Sequence, residues 1–233
     1  MILLALLLAS FGAADLTRPQ DRAPDRVALL RAALVGATVL GLGVWGTGLE
    51  WWWVAAGLAL LVAWIATTPV GISGRQTYPW PLVLLGMTVL TILAFGSQVR
   101  SADGWLPDWY DQLDISTLDD VSFVQFAVGV GVVLFLVESA NIIVRMVLAG
   151  TDAGVMASEQ TLRGGRVLGP IERIFIFAMA LAGEYAALTA VIAAKGILRF
   201  PEISRDVAGR KAEYVLVGSF VSWSIALVFI PLL

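Results

Sequence analysis

Long apolar runs alternate with short charged connectors along the chain, and the runs set its plan. Residues 27–45, 50–66 and 80–96 each come close to the roughly 20 residues that cross a bilayer as a helix. A longer run at 121–150 and a closing run at 213–233 read the same way. The opening stretch, "MILLALLLASFGAA", is shorter. Gly12 and Ala14 stand where a signal cleavage site would, but no basic residue precedes the apolar part, which favours a retained first helix. Trp51, Trp52, Trp53, Trp80 and Trp105 sit at or near run ends, where an indole keeps its ring in the headgroup layer and its N–H wet.

Residues 167–200 are apolar yet hold Glu172, Arg173, Glu184, Lys195 and Arg199. The stretch divides at Gly183 into two arms of equal length, each rising about 25 Å as a helix. Gly183 suits the end of the first arm, Glu184 the first turn of the second, and Pro170 the start of the first. A single long helix is the competing reading, because Arg173, Glu184 and Lys195 share one stripe. Charge placement favours the hairpin. Arg18, Arg22, Arg26, Arg75, Arg163 and Arg166 mark one side as cytoplasmic, and the acidic loop 97–120 with Asp103, Asp108, Asp111, Asp114, Asp119 and Asp120 lies outside. A hairpin returns Arg199, Arg205, Arg210 and Lys211 to the cytoplasmic side; one crossing does not.

The expectation is an all-α, polytopic membrane bundle of about seven to eight segments, a single domain over residues 1–233. Composition agrees, with 59% hydrophobic and 14% charged residues, and a mean hydropathy of +0.86. The chain has no cysteine and no histidine, which excludes disulfides, thiolate and imidazole metal sites, and Ser-His-Asp or Cys-His catalysis. A net charge of −3 without a Lys/Arg run offers no surface to nucleic acid.

The chemistry-bearing residues gather at one depth. Glu172 and Lys195 are nearly equally far from Gly183, so the hairpin sets them side by side as a pair. Glu138, Asn141 and Arg145 share a helical face at the cytoplasmic end of the run 121–150, and Arg173, Arg199 and Glu213 fall at similar depth. Unpaired charge there costs several kcal/mol. These groups therefore pair, snorkel or line a polar recess.

Other motifs carry less. "RGGRVLG" lacks the Gly-Lys-Ser/Thr ending of a phosphate loop and reads as a helix entry. The outer aspartates do not match a calcium loop and read as a solvated face. Nothing in the sequence places Ser219 beside Lys195 as nucleophile and base. Gly129 and Gly131 allow close helix approach. No catalytic residue, metal ligand or cofactor is assigned.

The segment "GGRVLGPIERIFIFAMALAGEYAALTAVIAAKGILRF" with "AEYVLVGSFVSW" resembles the C-terminal part of the bacterial membrane proteins grouped as domain of unknown function 3307. The resemblance rests on Gly165 and Arg166, Glu172 and Arg173, Gly183, Ala194 and Lys195, Arg199 and Phe200, and Glu213 and Tyr214 with Gly218 and Ser219, within 163–233. "LLALLLASFGAAD" is similar to that family's first helix, without the histidines its members carry there. The resemblance implies a multi-pass protein of a bacterial inner membrane and supplies no function. The expected role is a non-enzymatic scaffold or accessory subunit of a membrane assembly, its partners lipids and other membrane subunits. The alternative is a carrier or receptor for a small polar or anionic solute, or a lipid headgroup, using the charged cluster.

Overall fold

The structure is a computed structural model, and it describes residues 1–19, 25–68, 80–95, 103–113, 115–149, 163–204 and 210–233. The described residues are all-helical. The helices run α1 (Ile2–Leu16), α2 (Arg26–Thr47), α3 (Trp52–Thr67), α4 (Trp80–Phe95), α5 (Trp105–Asp111), α6 (Phe123–Val137), α7 (Ser139–Leu148), α8 (Arg163–Leu181), α9 (Tyr185–Ser204) and α10 (Arg210–Val228). Among the described residues, two helical segments, α2 and Ala212–Leu232, are long and apolar enough to cross a membrane, consistent with a membrane protein. The helices Ile2–Leu16, Trp52–Thr67, Trp80–Ile92 and Tyr185–Leu198 are apolar but shorter.

Contacts divide the chain into two compact units. The first holds α1 to α6 and includes Ser139, and the second begins at Ala140. The division follows a break in the run read as one long span. Glu138 leaves helical geometry, with φ −124 and ψ −43, so α6 ends and α7 begins anew.

In the first unit α1 is the centre. It is hydrophobic all round, and a helix of that kind is stable only when covered on all sides. Its residues from Ile2 to Gly12, and then Ala14 and Asp15, are buried against α2 and α6. The α1–α6 contact is backbone to backbone. A Cβ on Gly131 would lie 2.5 Å from the carbonyl oxygen of Ala5, and one on Gly12 would lie 2.5 Å from the carbonyl of Leu134. Gly131 thus makes the close approach its sequence context suggested. On the α2 side, Ser10 Oγ donates to Gly36 O at 2.9 Å, which satisfies a buried hydroxyl and fixes the register.

Local signals explain the helix starts. Asp25 caps α2, its carboxylate accepting from Ala28 N at 2.7 Å. Ser122 and Gln125 form a capping box at α6. The outward face of α2 carries Val27, Leu30, Leu34, Leu42 and Trp45, all exposed, while Ala28, Ala32, Gly36 and Leu40 turn inward. Trp51, Trp52, Trp80 and Trp105 are exposed as well. The described part of the acidic loop contains α5 and a 3-10 turn at Ser116–Leu118. Tyr110 anchors α5 by donating to Val121 O at 2.7 Å.

In the second unit the hairpin is present. α8 ends at Leu181, Gly183 adopts φ +73, and α9 starts at Tyr185. That left-handed conformation is one glycine adopts without a Cβ clash. One expectation is corrected here. α8 begins at Arg163 rather than 167, so Pro170 lies inside the helix instead of in its first turn. Proline there removes the bond from residue 170 to the carbonyl of Arg166, so the first turns of α8 are its weakest.

Candidate functional site

Two clusters of polar side chains joined by side-chain bonds stand out among the described residues, one in each unit. The first was not legible as a site. Asp15 closes α1 and is fully buried, with three donors aimed at it. Arg18 Nη1 donates to Oδ1 at 2.9 Å, while Trp64 Nε1 at 2.9 Å and Ser139 Oγ at 2.6 Å both donate to Oδ2. Arg18 in turn ties down the end of α3, its Nη1 donating to Thr68 Oγ1 at 2.8 Å and its Nη2 to the Thr68 carbonyl. Trp64 is held by stacking on Phe11 at 5.4 Å between ring centroids, with Phe135 behind it.

Arg18, counted by sequence among the connector cations, is therefore buried rather than solvated. It is 3% exposed and forms a buried pair three residues from Asp15. The geometry has a simple cause: a carboxylate at the end of an apolar helix needs a counter-charge, and the turn after α1 brings Arg18 back over it. The only sequence signal was that i, i+3 spacing.

The second group is built on α8. Glu172 and Lys195, expected to pair across the hairpin, are 2.6 and 2.5 Å apart through the two carboxylate oxygens. Trp223 of α10 donates Nε1 to Glu172 Oε1 at 2.9 Å and places its ring 5.5 Å from Lys195 Nζ. One residue on, Arg173 is 2% exposed; its Nη2 donates to Asn141 Oδ1 at 2.6 Å and its Nη1 to Ser222 Oγ at 3.4 Å. Successive residues of α8 thus engage successive residues of α10, Glu172 with Trp223 and Arg173 with Ser222. Sequence reasoning placed Glu172, Arg173 and Asn141 but missed Ser222 and Trp223, whose polar atoms are easily overlooked in an apolar run.

The remaining candidates are placed as follows. Glu138 is buried at the break between α6 and α7. Arg145 is half-buried in the last turn of α7. Glu213 is exposed in the first turn of α10, where a carboxylate meets the positive end of the helix dipole. Arg199 lies in α9 by its backbone, and its side chain falls outside the described residues, as do those of Arg163, Arg166, Arg210 and Lys211.

Chemically, both groups are closed. Among the described residues, Arg18 Nε is the one buried side-chain nitrogen or oxygen without a hydrogen-bond partner. The Asp15 carboxylate is engaged at both oxygens, as is that of Glu172 through Lys195, and the Ser139 hydroxyl donates to Asp15 rather than to a general base. Comparison of the chain with protein-family models, curated proteins and solved structures gives no match.

Proposed function

We propose that this is a multi-pass integral protein of a bacterial inner membrane, acting as a non-enzymatic scaffold or accessory subunit, with its charged residues serving as internal glue. The carrying observation is the closure of the polar groups. Carboxylates, guanidinium groups and hydroxyls on helices distant in sequence, such as Asp15 and Ser139 or Arg173 and Ser222, bond to one another. In lipid, apolar side chains gain little by leaving one acyl environment for another, so helices associate through close packing and polar bonds. A satisfied polar group fixes which helices meet.

The multi-pass reading rests on the surface as well as on length. α2 and Ala212–Leu232, the broken pair α6–α7, the four shorter apolar helices and α8 together make about eight segments, the shorter ones suited to a locally thin bilayer. The exposed stripe of α2 is what a lipid-facing surface requires. The reading keeps the resemblance to the domain of unknown function 3307 proteins, since Glu172, Arg173 and Lys195 are among the residues that carry it. Single cysteines placed at Ala208 and at Gln112 are expected to label from opposite sides of the membrane. Labelling of both from outside would remove the orientation.

Pairing gives the sharper test of glue. Removing one partner of a fully buried ion pair costs about 3 to 5 kcal/mol, and less where water reaches it. Side-chain exposures of 25% for Lys195 and 12% for Glu172 place this pair toward the lower figure. Lys195→Met is expected to lower the yield of folded protein, and Glu172→Gln with Lys195→Met to recover part of the loss. A double variant no better than the worse single one would contradict the pairing role.

A further inference from the structure

In the second unit, α9 is fastened very differently from α8 and α10. Among its described residues Leu188 alone is buried, while Tyr185, Ile197, Leu198 and Phe200 are between 65% and 79% exposed. α8, in contrast, buries Arg173, Ile176, Phe177 and Ala180, and packs chiefly on α10. α9 joins α8 through a turn of three residues centred on Gly183, where φ is +73 and no atom lies within 4 Å of the position a Cβ would take. Its other attachment is polar. Lys195, about 18 Å along the helix axis from Gly183, is bonded to Glu172 and lies over Trp223.

A helix so attached in lipid has little reason to stay put except its polar bond. Its apolar face loses nothing by exchanging a protein neighbour for an acyl chain, so van der Waals packing and polar contacts must hold it. Packing is slight in α9, which leaves the Lys195 contact dominant. We infer that α9 is a hinged arm, latched to α8 and α10 by Lys195 on Glu172 and Trp223, which swings out about Gly183 when the latch opens. α8 and α10 stay together, because Trp223 and Ser222 still engage Glu172 and Arg173. The inference rests on the reading of these charges as structural.

The chain has no cysteine, so introduced pairs can be spin-labelled without background. Labels at Leu168→Cys and Ile197→Cys report the arm, and labels at Phe175→Cys and Phe220→Cys report α8 against α10; all four positions are exposed. In the otherwise wild-type protein both pairs are expected to give single narrow distance distributions. Lys195→Met is expected to broaden and lengthen only the arm distribution, and Lys195→Arg to restore it. An arm distribution unchanged in Lys195→Met, or both distributions broadening together, overturns the inference. Should Lys195→Met fail to fold, hydrogen exchange on the wild-type protein in micelles decides. Exchange of the α9 amides as a block ahead of α8 and α10 supports the arm, and equal protection of the three helices overturns it. A failed latch would leave the structural role of Asp15 and Arg173 standing, since the bonds of Asp15 to Ser139 and of Arg173 to Asn141 and Ser222 do not run through α9.

Discussion

Asp15→Ala is expected to lose most of its folded protein, the largest effect of any single substitution in the chain. The carboxylate accepts from Arg18, Trp64 and Ser139, and its removal strands a guanidinium that is 3% exposed and already has one unpartnered nitrogen. Breaking a fully buried pair in this way costs about 3 to 5 kcal/mol. Folding free energies of whole proteins are only about 5 to 15 kcal/mol, so such a loss removes much of the margin. Monodisperse yield from detergent and the midpoint of thermal unfolding are the readouts. Asp15→Ala with Arg18→Met removes the stranded charge and is expected to recover part of the loss. Recovery will be incomplete, because Trp64 Nε1 and Ser139 Oγ still lack their acceptor. A single variant that unfolds at the wild-type temperature would show that the pair does not hold α1 in place.

Gly131→Val is the second large effect. The new side chain would begin 2.5 Å from the Ala5 carbonyl oxygen and 3.2 Å from that residue's Cα, so backbone rather than a flexible side-chain tip must move. Overpacking typically costs about 1 to 3 kcal/mol, and a rigid backbone contact belongs at the upper end. α1 would be pushed off α6, and the Asp15–Ser139 bond would lengthen with it. Gly41 supplies the contrast within the same unit, since no atom lies within 4 Å of the position its Cβ would take in α2. Gly41→Ala is expected to stabilise by roughly 0.5 to 1 kcal/mol through helix propensity alone. Unfolding midpoints of the two variants should therefore move in opposite directions.

The contrast between the two polar groups shows what a sequence displays and what it hides. Glu172 and Lys195 were legible because symmetry about Gly183 is local: a turn and a count of residues are enough to bring them together. Pairing of Asp15 with Ser139 joins positions 124 apart, and only the packing of α1 against α6 creates it. The burial of Arg18 was hidden for a related reason. A cation in a short connector counts as a topology marker by composition, and its burial depends on where α3 ends. The break at Glu138 was hidden because hydropathy averages over a run, and one charged residue among apolar neighbours barely changes the average. Pro170 was placed at a helix start that lies four residues too late, since the apolar pattern begins after the polar first turn of α8. Helix identity itself was well marked, as the runs 27–45, 50–66 and 80–96 each contain or overlap an observed helix.

The structural role of the charges is tested most directly by measuring, on the same purified samples, the thermal unfolding midpoint and the molecules retained in native mass spectrometry. The samples are wild type, Asp15→Asn, Glu172→Gln and Lys195→Met. If the charges are glue, each variant unfolds at a lower temperature than wild type, and no soluble small molecule is present on wild type and missing from a variant of unchanged stability. A variant that keeps the wild-type midpoint but loses a defined soluble ligand would contradict the scaffold reading and make the same residues a binding site.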